Sequence, residues 1–381
     1  MRIRIDGLPL GELKTGVGHY TNEIARGVAA ARPEDEVQVL SHLPFTPDSI
    51  SSDLPNLTFV YQQVNSITKH WWTIGLPRYL RNNLFDVFHG TNYDVPLWGG
   101  CTSVLTIHDL SLMLFSETHE VRRVNRARRR LPVMARLARR IIVPTESVKS
   151  EVCEHLSVVP EKVVAIAEAP RKCFRPLESQ RALPVIQRLG IEDLFILYVG
   201  AIEPRKNLIT LVRAVEEIYK STSLRPQLVI AGPNGWLSDD LFSYVEKSDI
   251  KDRMLLTGYL GDEDLRALYS TCAVMNFPAL YEGAGLPPLE AMACGAPVVT
   301  SDARAVVEMV GDGARVVPAK DFQLLGRELN ELMIDHDART ALIERGIKRS
   351  ALFSWEKAAQ MTHEVYRDAI KCGQSQRATK D

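Results

Sequence analysis

Short apolar runs rich in β-branched residues alternate with helix-length amphipathic segments along nearly the whole chain. Seven such runs fill the first half: MRIRID, EVQVL, LTFVY, DVFHG, SVLTIHD, RIIVPT and KVVAIA. Six fill the second: DLFILYVG, QLVIAG, RMLLTG, AVMNF, APVVT and ARVV. TNEIARGVAAA, LITLVRAVEEIYK, DEDLRALYSTC and LGRELNELMIDH are among the helical stretches between them. Strand–helix alternation predicts an α/β chain with parallel sheets covered by helices on both faces. LFILYV, apolar without alternation, agrees with a strand buried on both sides.

The alternation breaks once, at residues 168–190, EAPRKCFRPLESQRALPVIQRLG, where proline and charge replace any strand pattern. This segment reads as a linker into a second domain whose first strand is 194–199. A chain of 381 residues is long enough for two similar doubly wound domains, expected to face each other across a cleft. The last helix, SWEKAAQMTHEVYRDAIK, precedes a polar tail, GQSQRATKD, expected to fray.

Forty-six Lys and Arg balance 47 Asp and Glu, which gives no support for a nucleic-acid binder. The hydrophobic share of 45% excludes a disordered chain. No apolar stretch approaches the ~18 residues of a membrane-spanning helix, and no apolar block follows Arg2 and Arg4 as in a secretion signal. Cys101, Cys153, Cys173, Cys272, Cys294 and Cys372 are scattered without ligand spacing. Reduced thiols in a cytoplasmic protein are the expectation.

In open α/β sheets ligands sit outside the carboxyl ends of the strands, so chemistry is sought in the post-strand loops. TGVGHY, Thr15 to Tyr20, follows the first strand; Gly16 and Gly18 let backbone amides approach a phosphate at a helix N-terminus. An ordinary tight turn explains that pattern equally well. A dinucleotide fingerprint would need Gly or Ala where Thr21 stands, and an acid where Ser41 and His42 stand. SVLTIHDLS places His108 and Asp109 directly after a buried strand. Such a His donates to a sugar or phosphate oxygen, or else is a structural His bonded to a neighbouring carbonyl.

YVGAIEPRKNL puts Arg205 and Lys206 at a strand–helix junction, where two cations and helix amides favour a diphosphate clamp over a merely solvated loop. QLVIAGPNG ends in Gly232, Pro233, Asn234 and Gly235, a turn that opens backbone to a ligand or simply reverses the chain. FPALYEGAGLPPLEAMACGAPVVTSD is the most informative loop. Pro287 and Pro288 open its short helix, and Gly295 and Pro297 close it. Glu282 lies in the loop and Glu290 in the helix, eight positions apart. Gly283 and Gly285 free the amides around Leu286 for a phosphate, while a carboxylate suits diol hydroxyls because it accepts two hydrogen bonds at once.

Two further features attract attention. GDEDL, residues 261–265, contains an Asp-x-Asp, but it directly precedes a helix, where acids suit the dipole; no metal is expected. Residues 122–140, RRVNRARRRLPVMARLARR, hold nine Arg and no acid. With Leu131, Val133, Met134 and Leu137 as buried edge, this is either a membrane-docking Arg face or a solvated surface helix.

Taken in order, TGVGHYT, TIHDLS, VGAIEPRKNL and YEGAGLPPLEAMACGAPVV resemble the retaining nucleotide-sugar glycosyltransferases of family 4, whose fold is the two-Rossmann-domain GT-B. The last piece carries the family's paired-Glu element as Glu282 and Glu290, and the wording is closest to bacterial mannosyltransferase-like members that build O-antigen or capsule chains. The resemblance implies an acceptor-side domain at 1–175, joined by the last helix at about 355–371, and a donor-binding domain at 176–354. By it, Arg205 and Lys206 hold the diphosphate, helped by Gly16, Gly18 and the amides at Gly285 and Leu286. Glu282 contacts donor-sugar hydroxyls, Glu290 the ribose, and His108 lies near the transferred sugar; Asn234 and Tyr259 lie in the loops that border the base. Two positions depart from the pattern: Ala201 stands where many members have Arg, and Ala284 where an aromatic is usual.

The implied co-substrate is a nucleotide sugar, GDP-mannose ahead of a UDP-hexose, with no cofactor or metal. The implied acceptor is a saccharide or lipid-linked saccharide, with peripheral membrane contact through 122–140 as one reading of that segment. Two readings of another class compete. A Rossmann oxidoreductase is disfavoured by Thr21 and the missing ribose acid, and a non-catalytic nucleotide-binding protein by the intact Glu282, Arg205 and Lys206 set.

Overall fold

The computed structural model describes residues 1–11, 16–46, 54–97 and 101–378. All thirteen apolar runs are strands. In the first half they are β1 (Arg2–Asp6), β2 (Glu36–Ser41), β3 (Leu57–Tyr61), β4 (Val87–Gly90), β5 (Ser103–Thr106), β6 (Arg140–Val143) and β7 (Val163–Ala165). In the second they are β8 (Phe195–Val199), β9 (Gln227–Ala231), β10 (Met254–Gly258), β11 (Val274–Phe277), β12 (Val298–Ser301) and β13 (Arg315–Val317). One sheet runs β3-β2-β1-β4-β5-β6-β7 and the other β10-β9-β8-β11-β12-β13. Every pairing is parallel, so these are two Rossmann-like domains.

Burial explains the composition of the strands. β8 and β9 are buried at every position because helices cover both faces of their sheet. Helix Leu208–Ser221 seats Leu208, Leu211, Val212, Val215 and Ile218 in the core, the three-and-four spacing of one helical face. Strand order reverses between β1 and β4 in the first sheet and between β8 and β11 in the second. At such a reversal neighbouring post-strand loops turn opposite ways and leave a crevice at the carboxyl ends.

The chain forms two compact units, Met1–Leu110 with Asn125–Glu168 and Ser354–Asp381, and Ser111–Val124 with Ala169–Phe353. In the first unit the terminal helix Trp355–Ala378 packs on helix Gly16–Ala31 at Gly27, where an added Cβ would stand 2.7 Å from the Ala359 Cβ. His363 Nε2 meets Asp35 Oδ2 at 2.8 Å, and Asp35 also pairs with the chain's terminal amine. The helix continues through Ala378, so most of the tail expected to fray is helical; it is made of residues such as Gln374, Gln376 and Arg377 that continue a helix readily. Residues 379–381 lie outside the described residues.

Two further expectations change. The linker at 168–190 contains a helix, Ser179–Arg188, whose Ala182 and Ile186 are buried four positions apart despite Pro184. In the Arg-rich helix Val121–Leu137, Val133 and Leu137 are exposed; the buried edge is Leu131, Met134 and Ala135. Three- and four-residue spacing selects those positions and leaves Arg122, Arg126, Arg129, Val133 and Arg136 along one exposed stripe. Among the described residues no helix is long and apolar enough to cross a membrane.

Candidate functional site

In the second unit the loops after β8 and β11, the two strands at the reversal, share an ion network. Pro204–Lys206 forms one helical turn and ends at Asn207, whose φ of 59° is left-handed, a conformation Asn tolerates better than most residues. Asn207 Nδ2 donates to the carbonyls of Pro278 (3.0 Å) and Ala319 (2.6 Å), and the Leu280 amide donates to the Arg205 carbonyl at 2.9 Å. These bonds fix one loop against the other. Arg205 then donates through Nη1 to the Tyr281 carbonyl and to Glu282 Oε1, both at 2.8 Å, and through Nη2 to Glu203 Oε1 at 2.7 Å. Lys206 Nζ also bonds Glu282 Oε1, and stands 4.0 Å from Glu203 Oε1.

Two cations thus face two carboxylates in a site only 2–14% exposed at these side chains. Glu203 Oε2 is buried without a hydrogen-bond partner, and burial raises the Glu203 pKa against the pull of Arg205 and Lys206. The turn at Gly232 is tied to the same loop: the Ile202 amide donates to Pro233 and the Gly235 amide to Ile202, both at 3.0 Å. Asn234 pairs with Ile202 there and is exposed. Gly232 has φ 155°, and a Cβ on it would stand 2.0 Å from the Gly200 carbonyl oxygen, so only glycine fits.

Glu290 sits apart from this network, buried on the short helix Leu286–Ala293. Its Oε1 accepts from Arg171 Nε at 3.0 Å and lies 3.0 Å from Nη2, and Tyr269 Oη donates to Oε2 at 3.4 Å. Burial raises the Glu290 pKa while Arg171 opposes it. Arg171 also pairs with Asp262, and Arg188 with Asp264 at 2.6 Å, so both acids of the Asp-x-Asp have cationic partners. Gly285 caps the helix with φ 85°, just before Leu286, and Ala284 is buried. Tyr259, after β10, is 44% exposed.

The first unit holds His108, Gly16 and Gly18. Both glycines lie in the first turn of helix Gly16–Ala31, where amides lack intrahelical partners; Gly16 is exposed, Gly18 buried, and Thr15 lies outside the described residues. Tyr20, on the same helix, sets its ring edge-on to His108 with centroids 4.8 Å apart. His108 Nε2 meets the Thr91 carbonyl at 2.9 Å and Nδ1 meets Glu168 Oε1 at 3.2 Å. The structural carbonyl bond is therefore present, together with a carboxylate that sequence reasoning missed. Glu203, Asn207, Arg171 and Glu168 were all missed. The asparagine after a charged turn is a signal for a left-handed residue, whereas Arg171 and Glu168 lie in a segment read as linker and meet partners 119 and 60 positions away.

Two family models match in adjoining stretches: Glycosyltransferase Family 4 over residues 14–168 and Glycosyl transferases group 1 over 181–349. The O-antigen chain mannosyltransferase B of Escherichia coli is 28% identical over 382 residues, covering 96% of this chain and 100% of that protein. The MMP alpha-(1->4)-mannosyltransferase of Mycolicibacterium hassiacum is 31% identical over 243 residues, 62% of this chain and 56% of that protein. The serotype-specific mannosyltransferase WbdA of Escherichia coli is 29% identical over 238 residues, 61% of this chain but 29% of that longer protein. Among solved structures, sucrose-phosphate synthase of Thermosynechococcus elongatus has a TM-score of 0.77 at 22% identity, covering 97% of this chain and 99% of that one. HepE of Anabaena, in complex with UDP-glucose, has a TM-score of 0.77 at 15% identity, covering 96% and 99%. Likeness at these identities speaks to the fold alone. The ordered motifs, the two parallel sheets and the adjoining family matches converge: this chain belongs to glycosyltransferase family 4, has the GT-B fold and is homologous to mannosyltransferases.

Proposed function

We propose that this chain is a retaining, metal-independent hexosyltransferase that moves mannose from GDP-mannose to a saccharide or lipid-linked saccharide in polysaccharide synthesis. The observation that carries this reading is the Arg205–Lys206–Glu282 network at the carboxyl ends of the two strands flanking the reversal. Its chemistry fits the reaction. Breaking the anomeric C–O bond builds negative charge on the departing nucleoside diphosphate, and cations with helix amides aimed at the phosphates lower that barrier. Arg205 and Lys206 take the diphosphate with the amides at Gly285 and Leu286. Glu282 exchanges part of its cation contact for sugar hydroxyls. Arg171 orients Glu290 toward the ribose, while Asn234 and Tyr259 border the base. Residues 176–354 form the donor side and 1–175 with the last helix the acceptor side. The acceptor attacks from the face the phosphate leaves, and the departing phosphate oxygen takes its proton.

The mannosyltransferase relatives favour mannose as the hexose. The exposed Arg stripe, which lacks acids, suits the anionic surface on which a lipid-linked acceptor would be presented. A thermal-shift panel of GDP, UDP, ADP, their sugars and NAD tests the donor, since a ligand at about 100 Kd adds about 2.7 kcal/mol of stability. A shift with GDP and GDP-mannose is expected, followed by turnover undiminished in excess EDTA. A shift with UDP species alone replaces the base. NAD alone, or a strict metal requirement, overturns the reading.

A further inference from the structure

Two histidines lie close together in the first unit, His89 fully buried and His108 13% exposed at its side chain, and their partners differ in kind. His89, fully buried on β4, meets hydroxyls: Tyr366 Oη lies 2.7 Å from Nδ1 and Thr106 Oγ1 2.8 Å from Nε2. A hydroxyl can donate or accept, so a neutral imidazole is satisfied there. Burial, reinforced by the neighbouring His108, lowers the His89 pKa to about 3. His108, just beyond β5, meets the Thr91 carbonyl and the Glu168 carboxylate instead. A carbonyl and an ionised carboxylate only accept. A neutral imidazole has a single N–H and would leave its lone pair against one of these oxygens, whereas a proton on each nitrogen satisfies both.

We propose that Glu168 is a positioning residue that holds His108 doubly protonated, as a fixed cation of the transfer site. Glu168 is 5% exposed, and its side chain meets His108 Nδ1. The other groups facing His108 are consistent with a cation. Asp109 follows it in sequence, the Tyr20 ring stands edge-on at 4.8 Å and the Tyr93 ring at 6.0 Å, and His89 contributes no charge when neutral. Burial alone would lower the His108 pKa, but Glu168, the Thr91 carbonyl and Asp109 together outweigh it and raise it.

The consequence is a role other than base. With both nitrogens carrying protons, His108 cannot take a proton from an acceptor. The family resemblance implies that His108 lies near the transferred sugar, and a fixed positive charge there acts against the negative charge building on the leaving phosphate oxygen. This inference rests on the proposed transferase reading for its catalytic meaning, though not for its protonation state.

The test is nitrogen NMR of the full chain labelled with 15N-histidine, with His108 assigned by its loss in His108→Asn. In wild type at about pH 7 both His108 ring nitrogens should give protonated signals, while His89 gives one protonated and one bare nitrogen. In Glu168→Gln the His108 titration should move to lower pH. Kinetics then read the consequence: the fall of kcat toward high pH should move down with it, with kcat reduced more than donor KM changes. A neutral His108 in wild type overturns the proposal, and so does a Glu168→Gln titration or rate profile that matches wild type. The spectra need no substrate, so a failure to turn over any nucleotide sugar would refute the donor reading while they still decide this one. If Glu168→Gln does not fold, the wild-type spectrum alone decides.

Discussion

Lys206→Met and Glu282→Gln change the charge of the second unit's network in opposite directions, and this separates its electrostatics from its packing. As folded, Arg205 and Lys206 oppose Glu203 and Glu282, a formal sum of zero. Lys206→Met leaves the sum at −1 and lets both carboxylates crowd Arg205; Glu282→Gln leaves it at +1. A unit charge about 5 Å from a phosphate, at an effective dielectric of about 20, interacts by about 3 kcal/mol. The two side chains are 12% and 14% exposed, so some solvent screening reaches them. Taking half of the interaction as surviving gives about 1.5 kcal/mol, or roughly tenfold in Kd. GDP binding by titration calorimetry should therefore weaken about tenfold in Lys206→Met, yet hold or tighten by up to that factor in Glu282→Gln. Turnover should fall at least ~100-fold in both, because each loses a group that acts on developing charge. Melting temperature and circular dichroism guard against misfolding. Equal weakening of GDP in two folded variants would refute the charge argument, and wild-type turnover in either would refute the site.

Three further outcomes follow from single features. Gly232→Ala forces a Cβ to 2.0 Å from the Gly200 carbonyl at a φ of 155°, so urea unfolding should show a loss of at least ~2 kcal/mol, against little change for Gly16→Ala, where the space is open. Burial, opposed by the Leu8 amide and reinforced by Asp94, raises the Asp6 pKa from 3.8 to about 7, so between those values the folded chain holds a proton the unfolded chain has lost. That contribution to stability falls as pH rises through the window, and Asp6→Asn should remove the fall in urea unfolding at several pH values; an unchanged pH profile would refute the assignment. Replacing Arg122, Arg126 and Arg129 by Glu should abolish co-sedimentation with phosphatidylglycerol vesicles while GDP affinity stays unchanged, and undiminished vesicle binding would reject the membrane face.

The sheets were legible because burial on both faces forces a strand to be apolar throughout, a pattern readable within five residues, as in Phe195–Val199. Helix Ser179–Arg188 was hidden for the converse reason. Only Ala182 and Ile186 are buried in it, and Pro184 argues locally against a helix, so neighbouring structure overrides its propensity. The grouping of Ser111–Val124 with the second unit had no local signal either. Within that unit Phe115 stacks on Tyr281 with centroids 4.9 Å apart, and Trp236 Nε1 donates to the Thr118 carbonyl at 2.8 Å. Each partner is an ordinary aromatic until the fold brings the pair together.

The site divides along the same line. Residues placed by the backbone were readable: Arg205 and Lys206 follow a strand, Glu282 precedes a glycine-opened helix, and position alone points them toward the carboxyl ends. Residues that set the electrical state of those groups were not. A buried charge needs a counter-charge, but that need fixes neither which residue supplies it nor how far away in sequence it stands. Glu203, beside Arg205 and Lys206, was close enough to suspect; Arg171, the partner of Glu290, and Glu168, the partner of His108, came from a stretch without strand pattern. A strand-end motif therefore points to which side chains gather at the carboxyl ends, while the charge those side chains carry depends on contacts made only in the folded chain. For His108 this decides its chemistry. The same side chain is a base when neutral and a fixed cation when both nitrogens face acceptors, and Thr91 with Glu168 supplies the second condition.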